Sequence, residues 1–254
     1  MLTQSVKTHI LKLHQKKYRY GFGEYIVEGV KGVEEAIASE KTVALVVVQD
    51  DMVKNKQILS LLHKVEEAHL PVHVCSAGDA KTIKTTSTFP GIMALVNIEP
   101  QTLDSFDTEK PIVCLDRIQD PGNLGTIIRT ADWFGVSNIL LSESCVDVYN
   151  DKVVRSTMGS LFRTTLVRSR DIVHDVLELK LTQGYRVVAL DLGGLPVPKK
   201  VEEKTVFIFG NESHGISPTF DSLVDCRYTI AGSGNAESLN VGVAAGIMLY
   251  SIRL

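Results

Sequence analysis

Residues 115–131 read LDRIQDPGNLGTIIRTA, and the way this stretch divides sets the fold of the chain's second half. The apolar run Ile112–Leu115 before it has the composition of a buried strand. Asp120-Pro121-Gly122 turns the chain, and helical spacing of apolar residues predicts a helix over Leu124–Phe134. On that helix Thr126, Arg129 and Thr130 share one face, while Ile127, Ile128 and Ala131 point elsewhere. A plain connection needs only a cap from Asp120 or Asn123. Asn123 and Arg129 together also suit the rim of a strand-end cleft, where ligands sit in open α/β sheets.

Two later junctions have the same character. In FIFGNESHGISP (207–218) an apolar strand runs into Gly210, which lets a ligand approach the backbone, followed by Asn211 and Glu212. Gly215, Ser217 and Pro218 fit an ordinary turn and helix start; Glu212 does not. In IAGSGNAESLNVGVAAG (230–246) a glycine-rich loop feeds an apolar helix expected over Glu237–Ile252. Gly242 and Gly246 suit close helix packing, and Ser238 suits a cap. Asn240 needs a polar partner if it is buried.

Outward from these junctions, strands alternate with helices, as in an α/β chain with parallel sheets. Further strands are expected at Asn138–Leu141, Thr164–Val167, Arg186–Leu190, Val206–Phe209 and Cys226–Ile230, with a helix at Ile172–Thr182. Before them lie helices at Leu2–Arg19, Val33–Ala38 and Met52–His69, and strands at Tyr25–Glu28, Val43–Val48, Val72–Cys75 and Ile92–Ile98. Residues 99–110, EPQTLDSFDTEK, read as a linker, so residues 1–98 and 111–254 form a small and a larger α/β domain.

The 254 residues have 44% hydrophobic content and a net charge of −3, ordinary for a globular protein and against a uniformly basic nucleic-acid coat. The charge is uneven. Residues 1–20 hold Lys7, Lys12, Lys16, Lys17 and Arg19 with no acid, and residues 152–170 hold Lys152, Arg155, Arg163, Arg168 and Arg170 with none. Either run alone reads as a solvated face; two in an acidic chain point to a polyanion-binding surface. The longest apolar runs, such as Val241–Tyr250, are too short for a membrane span, and the N-terminus lacks the apolar centre of a signal peptide. The 4 cysteines are widely spaced, and no Cys/His cluster has metal-ligand spacing, so a reduced cytoplasmic protein without a metal is expected.

General motifs fail on inspection. Gly232-Ser-Gly234 opens like a dinucleotide fingerprint but has Glu237 at its third glycine. Residues 210–217 have P-loop glycine spacing but Ile216 in place of the phosphate-binding lysine. Ser213 beside His214 makes no triad, and no G-x-S-x-G elbow supports one.

Taken together, DPGNLGTIIRTA, FGNESHGIS and ESLNVGVAAGI, in this order, closely resemble the three signature motifs of the SpoU/TrmH family of SPOUT-class RNA ribose 2′-O-methyltransferases. VVRSTMGSLF (153–162) is similar to a segment these enzymes carry between the first two motifs. The resemblance covers residues 111–254, and residues 1–98 are similar to the family's ribosomal-protein-like N-terminal extension, an RNA substrate-binding domain.

The resemblance implies a parallel-sheet domain ending in a trefoil knot, with S-adenosylmethionine (AdoMet) bound in the knot and two subunits paired there as a homodimer. Knotted connections are exceptions that no periodicity argument foresees. It implies catalytic roles for Asn123, Arg129, Glu212, Ser238 and Asn240, with Arg129 acting on the 2′-hydroxyl as base or as electrostatic stabiliser. It places Gly210, Asn211, Ile230 and Leu239 around the methyl donor. Where the family often has Pro-Met after the position of Ile230, this chain has Ala231-Gly232, which alters the adenine wall. The extension favours structured ribosomal RNA over transfer RNA as partner. A non-catalytic RNA- or ribosome-binding protein on the same fold is the alternative, and a dinucleotide-dependent oxidoreductase is disfavoured.

Overall fold

Most apolar runs in the first hundred residues form strands, and most amphipathic runs form helices. The computed structural model describes residues 1–39, 41–198, 201 and 204–252. They divide into two units, Met1–Glu99 with Asp147–Phe162, and Pro100–Val146 with Arg163–Leu254.

In the first unit α1 (Gln4–Leu13) and α2 (Lys16–Phe22) lead into β1 (Glu24–Glu28). There follow α3 (Val30–Ala38), β2 (Val43–Gln49), α4 (Lys56–Glu67), β3 (Val72–Cys75), α5 (Ala77–Ile83) and β4 (Ile92–Asn97). The sheet order is β1-β4-β2-β3. β2 and β3 are parallel, with Val46 opposite Val72, but β4 runs antiparallel to both neighbours, with Ile26 opposite Leu95 and Val47 opposite Met93. The sheet expected to be parallel is thus mixed. Alternation of strands and helices predicts layers, not the direction in which the chain enters β4 through Gly91, at φ +91°. Ile10, Leu13, Cys75 and Ile83 pack against Val47, Met93 and Leu95.

The single helix expected over Leu2–Arg19 is broken by an extended Gln15. Arg19 accounts for the break. Its Nη1 donates to Leu13 O at 2.9 Å and His14 O at 3.0 Å, satisfying carbonyls that the end of α1 leaves open.

The second unit contains β5 (Ile112–Leu115), α6 (Pro121–Trp133) and β6 (Asn138–Leu141). After the excursion through α7 (Asp151–Ser156) it continues with β7 (Thr165–Arg168), α8 (Ile172–Gln183), β8 (Arg186–Pro196), β9 (Thr205–Phe209), β10 (Cys226–Thr229) and α9 (Val241–Ile252). Its six-stranded sheet, in order β10-β8-β9-β5-β6-β7, is parallel throughout. β5 and β9 lie at its centre, every residue buried, with Leu115 opposite Phe209. From β5 the chain winds outward through β6 to β7, and β9 lies on its other side, so β5 and β9 flank the switch point of the topology.

Two expected boundaries move. Residues 99–110 are not a loose linker. The second unit begins at Pro100, Phe106 is buried in its core, and Asn138 and Tyr185 hydrogen-bond the backbone of Asp107, Thr108 and Lys110. Residues 147–162, expected within the larger domain, belong to the first unit. There Arg19 donates to Asp147 through Nε at 2.9 Å and Nη2 at 2.5 Å, both side chains buried, and Tyr20 donates to the same carboxylate at 2.9 Å. Tyr149 packs on Tyr25 with ring centroids 4.7 Å apart. The expected domain also contains Lys199, Lys200, Glu202, Glu203, Arg253 and Leu254, which lie outside the described residues. No helix among the described residues is long and apolar enough to cross a membrane.

Candidate active site

The C-terminal ends of β5 and β9 release the first two polar segments side by side, and the third joins them at α9. Asp120 caps α6 by accepting from Asn123 N at 2.8 Å. The Asn123 side chain then bridges both other segments. Its Nδ2 donates to Glu212 Oε1 at 2.7 Å, and its Oδ1 accepts from Asn240 Nδ2 at 2.9 Å. Asn240 Oδ1 accepts from Gly242 N at 2.9 Å and Val243 N at 3.3 Å, capping α9. These bonds fix both amide orientations. Two backbone donors demand the Asn240 oxygen, its nitrogen must then face Asn123 Oδ1, and Asn123 must present its nitrogen to the carboxylate. The cap also explains why α9 starts at Val241 rather than at the expected Glu237; Ser238 is outside it.

The loop after β9 folds back on itself. Asn211 and Gly215 exchange two backbone hydrogen bonds of 2.9 Å. Gly210 is required, because a Cβ there would sit 2.2 Å from Gly215 C. The Asn211 side chain is occupied within this structure, donating to Arg117 O at 2.9 Å and accepting from Ser213 N at 2.9 Å and His214 N at 3.1 Å.

Two residues that sequence reasoning passes over anchor this loop. Asp116, 3% exposed, accepts from Ser217 N at 2.8 Å. Arg117, at φ +58°, donates from Nε to Asp116 at 3.2 Å. An acid directly after a fully buried strand is the signal that could have found them, since a buried carboxylate must find donors. Beneath it, burial first and the Asp116 charge second push the Cys114 thiol well up, leaving it neutral and inert.

Arg129 is exposed on α6, and its side chain has no hydrogen bond or ion pair among the described residues. It is therefore not joined to the Asn123–Glu212–Asn240 cluster. Its neighbours on the same face, Thr126 and Thr130, pack on α9, where a Cβ added to Gly242 or Gly246 would meet their methyls at 3.3 Å and 3.6 Å. Ile230 is half-buried and Ser238 exposed; Leu239 is exposed beside Asn240. The backbone of Ala231–Leu239 makes no hydrogen bond among the described residues. The basic run at 152–170 is largely committed internally: Arg155 to Asp151 and Thr85, Arg163 to Asp132, and Arg168 to three backbone carbonyls.

Residues 110–250 match the SpoU rRNA Methylase family, more than half of the chain. The chain belongs to the SpoU family. Residues 4–94 also match the MRM3-like substrate binding domain. Among curated SpoU-type relatives, the chain is 34% identical to the 23S rRNA (guanosine(2553)-2′-O)-methyltransferase RlmP of Bacillus subtilis (strain 168), covering 95% of this chain and 93% of that protein. Among solved structures it is similar to the AdoMet-bound SpoU methyltransferase AviRb of Streptomyces viridochromogenes, with a TM-score of 0.86, 27% identity and coverage of 98% and 97%. The AdoMet-bound rRNA methyltransferase of Sinorhizobium meliloti matches with a TM-score of 0.85, 28% identity and coverage of 99% and 95%.

Proposed function

We propose that this SpoU protein is an AdoMet-dependent RNA ribose 2′-O-methyltransferase acting on ribosomal RNA. The observation that carries the reading is the junction at Asn123, where three segments far apart in the chain meet through Glu212 and Asn240 at the sheet's switch point. The substrate assignment follows the activity named for the Bacillus relative, which is alike over nearly its whole length.

The residues fit a methyl donor with a purine end. The Ala231–Leu239 backbone offers free N–H and C=O groups to a base edge, and Ile230 and Leu239 offer apolar walls. Bound there, AdoMet supplies an activated methyl group. Gly210, closed against Gly215, shapes the adjoining loop, and Asn211 keeps it folded. Asn123 holds Glu212 through one carboxylate oxygen and leaves Oε2 to accept the ribose 2′-hydroxyl. Arg129 presents its guanidinium donors to the neighbouring phosphate and to negative charge developing on the 2′-oxygen. Ser238 and Asn240 hold the loop that carries the donor.

The finer architecture belongs to the same reading. The C-terminal segment forms a trefoil knot, and two copies pair as a homodimer through the second unit. In that unit Trp133 is 83% exposed, and Val243, Ile247 and Tyr250 line an exposed apolar face of α9. Residues 1–98 choose the RNA, and the protein works in the cytoplasm. Methyl transfer from radiolabelled AdoMet to ribosomal RNA from cells lacking the protein tests the activity. No transfer, with no 2′-O-methyl site lost in those cells, overturns it.

A further inference from the structure

The basic N-terminal segment is not a uniform charged face. Arg19 is consumed in the buried pair with Asp147, and Lys7 pairs with Asp79 at 2.7 Å. The three remaining lysines lie against aromatic rings. Lys17 Nζ is 4.6 Å from the Tyr18 ring centre, Lys12 is 5.7 Å from Tyr18 and 6.0 Å from Phe22, and Lys16 is 5.9 Å from Tyr20.

The rings themselves are arranged and partly open. Phe22 stacks on Tyr18 with centroids 5.8 Å apart and planes 19° apart, and its other neighbour is His9 at 4.7 Å. Phe22 and Tyr20 are each 43% exposed. The Tyr20 ring cannot swing freely, because its hydroxyl is tied to Asp147 and its edge meets Tyr149 at 6.1 Å. Core packing does not account for aromatic rings left open to solvent and fenced by cations.

We infer that the α2 surface, with Phe22 and Tyr18 as one platform and Tyr20 as a second, stacks unpaired bases of a single-stranded RNA segment while Lys12, Lys16 and Lys17 hold its phosphates. A single strand fits better than a duplex. Stacking requires open π-faces, which paired bases keep buried in the helix, and ring faces beside cations are the usual means of binding single strands. The occupant is anionic by charge complementarity: the two acids that reach this surface are already engaged, Glu24 with His9 at 2.5 Å and Asp147 with Arg19 and Tyr20, whereas among the described residues Lys12, Lys16 and Lys17 meet only rings. The inference rests on the RNA substrate proposed above and specifies which part of that RNA the first unit takes.

The test uses the full chain and a short fluorescein-labelled RNA, read by anisotropy as a single strand and as a blunt duplex of the same sequence. Phe22→Leu keeps apolar bulk against Tyr18 and His9 but removes the π-face. It is expected to weaken single-strand binding by roughly 5- to 150-fold and to leave duplex binding unchanged. Phe22→Trp should restore single-strand binding, and Lys12→Gln should flatten the salt dependence by about 0.7 in log–log slope for each phosphate no longer neutralised. Phe22→Leu binding the single strand as wild type does, or losing equally on the duplex, overturns the platform. A wild-type protein that transfers no methyl to ribosomal RNA, yet shows this Phe22-dependent selectivity, overturns the proposed activity and leaves the platform standing.

Discussion

Asp147→Ala is expected to destabilise the first unit by about 3–5 kcal/mol, the cost of stranding one member of a buried ion pair. Burial decides the size, because an exposed pair contributes at most about 1 kcal/mol. Here both side chains are 6% exposed. The substitution removes the acceptor for Arg19 Nε and Nη2, for the Tyr20 hydroxyl and for Tyr149 N, leaving the guanidinium only the carbonyls of Leu13 and His14. The paired change Arg19→Met with Asp147→Leu removes both charges and should recover part of the loss. It should still fall short by about 1 kcal/mol for each of the Leu13 and His14 carbonyls that lose their donor, and the Tyr20 hydroxyl and Tyr149 N still lack their acceptor. Urea unfolding followed by circular dichroism measures the change. The midpoint should fall in the Asp147→Ala protein and move back toward the wild-type value in the double variant. A loss under about 1 kcal/mol, or a double variant no more stable than the single one, would refute the reasoning.

Asn123→Asp sets a carboxylate against Glu212 where a donor stood at 2.7 Å, and should cut methyl transfer by roughly 10- to 100-fold, the kinetic equivalent of losing a hydrogen bond to a charged group; near-normal turnover counts against the cluster. Gly210→Ala drives a methyl into the Gly215 backbone and should weaken AdoMet binding at least about tenfold in calorimetry, with unchanged affinity as the contrary result. Burial pulls the Asp225 carboxyl up, but donors from Lys180 and Val187 N outweigh it and hold the group below its ordinary value of 3.8. Its stabilising contribution is therefore complete above the unfolded value and lost as pH falls through the depressed one; Asp225→Asn should flatten that part of an acid titration of stability. Burial, with Asp79 and Asp50, pushes the Cys75 thiol up to about 11, so at about pH 8 iodoacetamide should leave it unmodified in native protein and label it in urea; fast native labelling would mean the strand end is open.

The junctions at 115–131, 207–218 and 230–246 are legible because each places polar residues where a strand–turn–helix connection needs none, and their order carries the family. That Asn123, Glu212 and Asn240 touch follows from no spacing; it requires the sheet to bring β5 beside β9. Asp116 and Arg117 escape notice because their side chains bond backbone groups, Ser217 N and Gly215 O, on a loop 98 to 101 residues away. Strand direction in the first unit is illegible for a related reason: local pattern encodes which face is buried, not which neighbour a strand pairs with. The placement of residues 147–162 rests on a buried charge pair separated by 128 residues, and in the sequence Arg19 is one more member of a basic run.

That last pairing bears on how the protein is made. The chain passes between its units three times, at 99/100, 146/147 and 162/163. During synthesis the first unit cannot be completed when residue 99 emerges. It must wait until β5, α6 and β6 of the second unit have been made and Asp147 arrives to neutralise Arg19. The first unit thus spends an interval with a cation bound for the interior still unpaired, while two of the six strands of the larger sheet, β5 and β6, exist without the central partner strand β9. A fragment cut at residue 98 would be held permanently in that waiting state, whereas a clean graft of the first unit onto another protein would need both of its pieces.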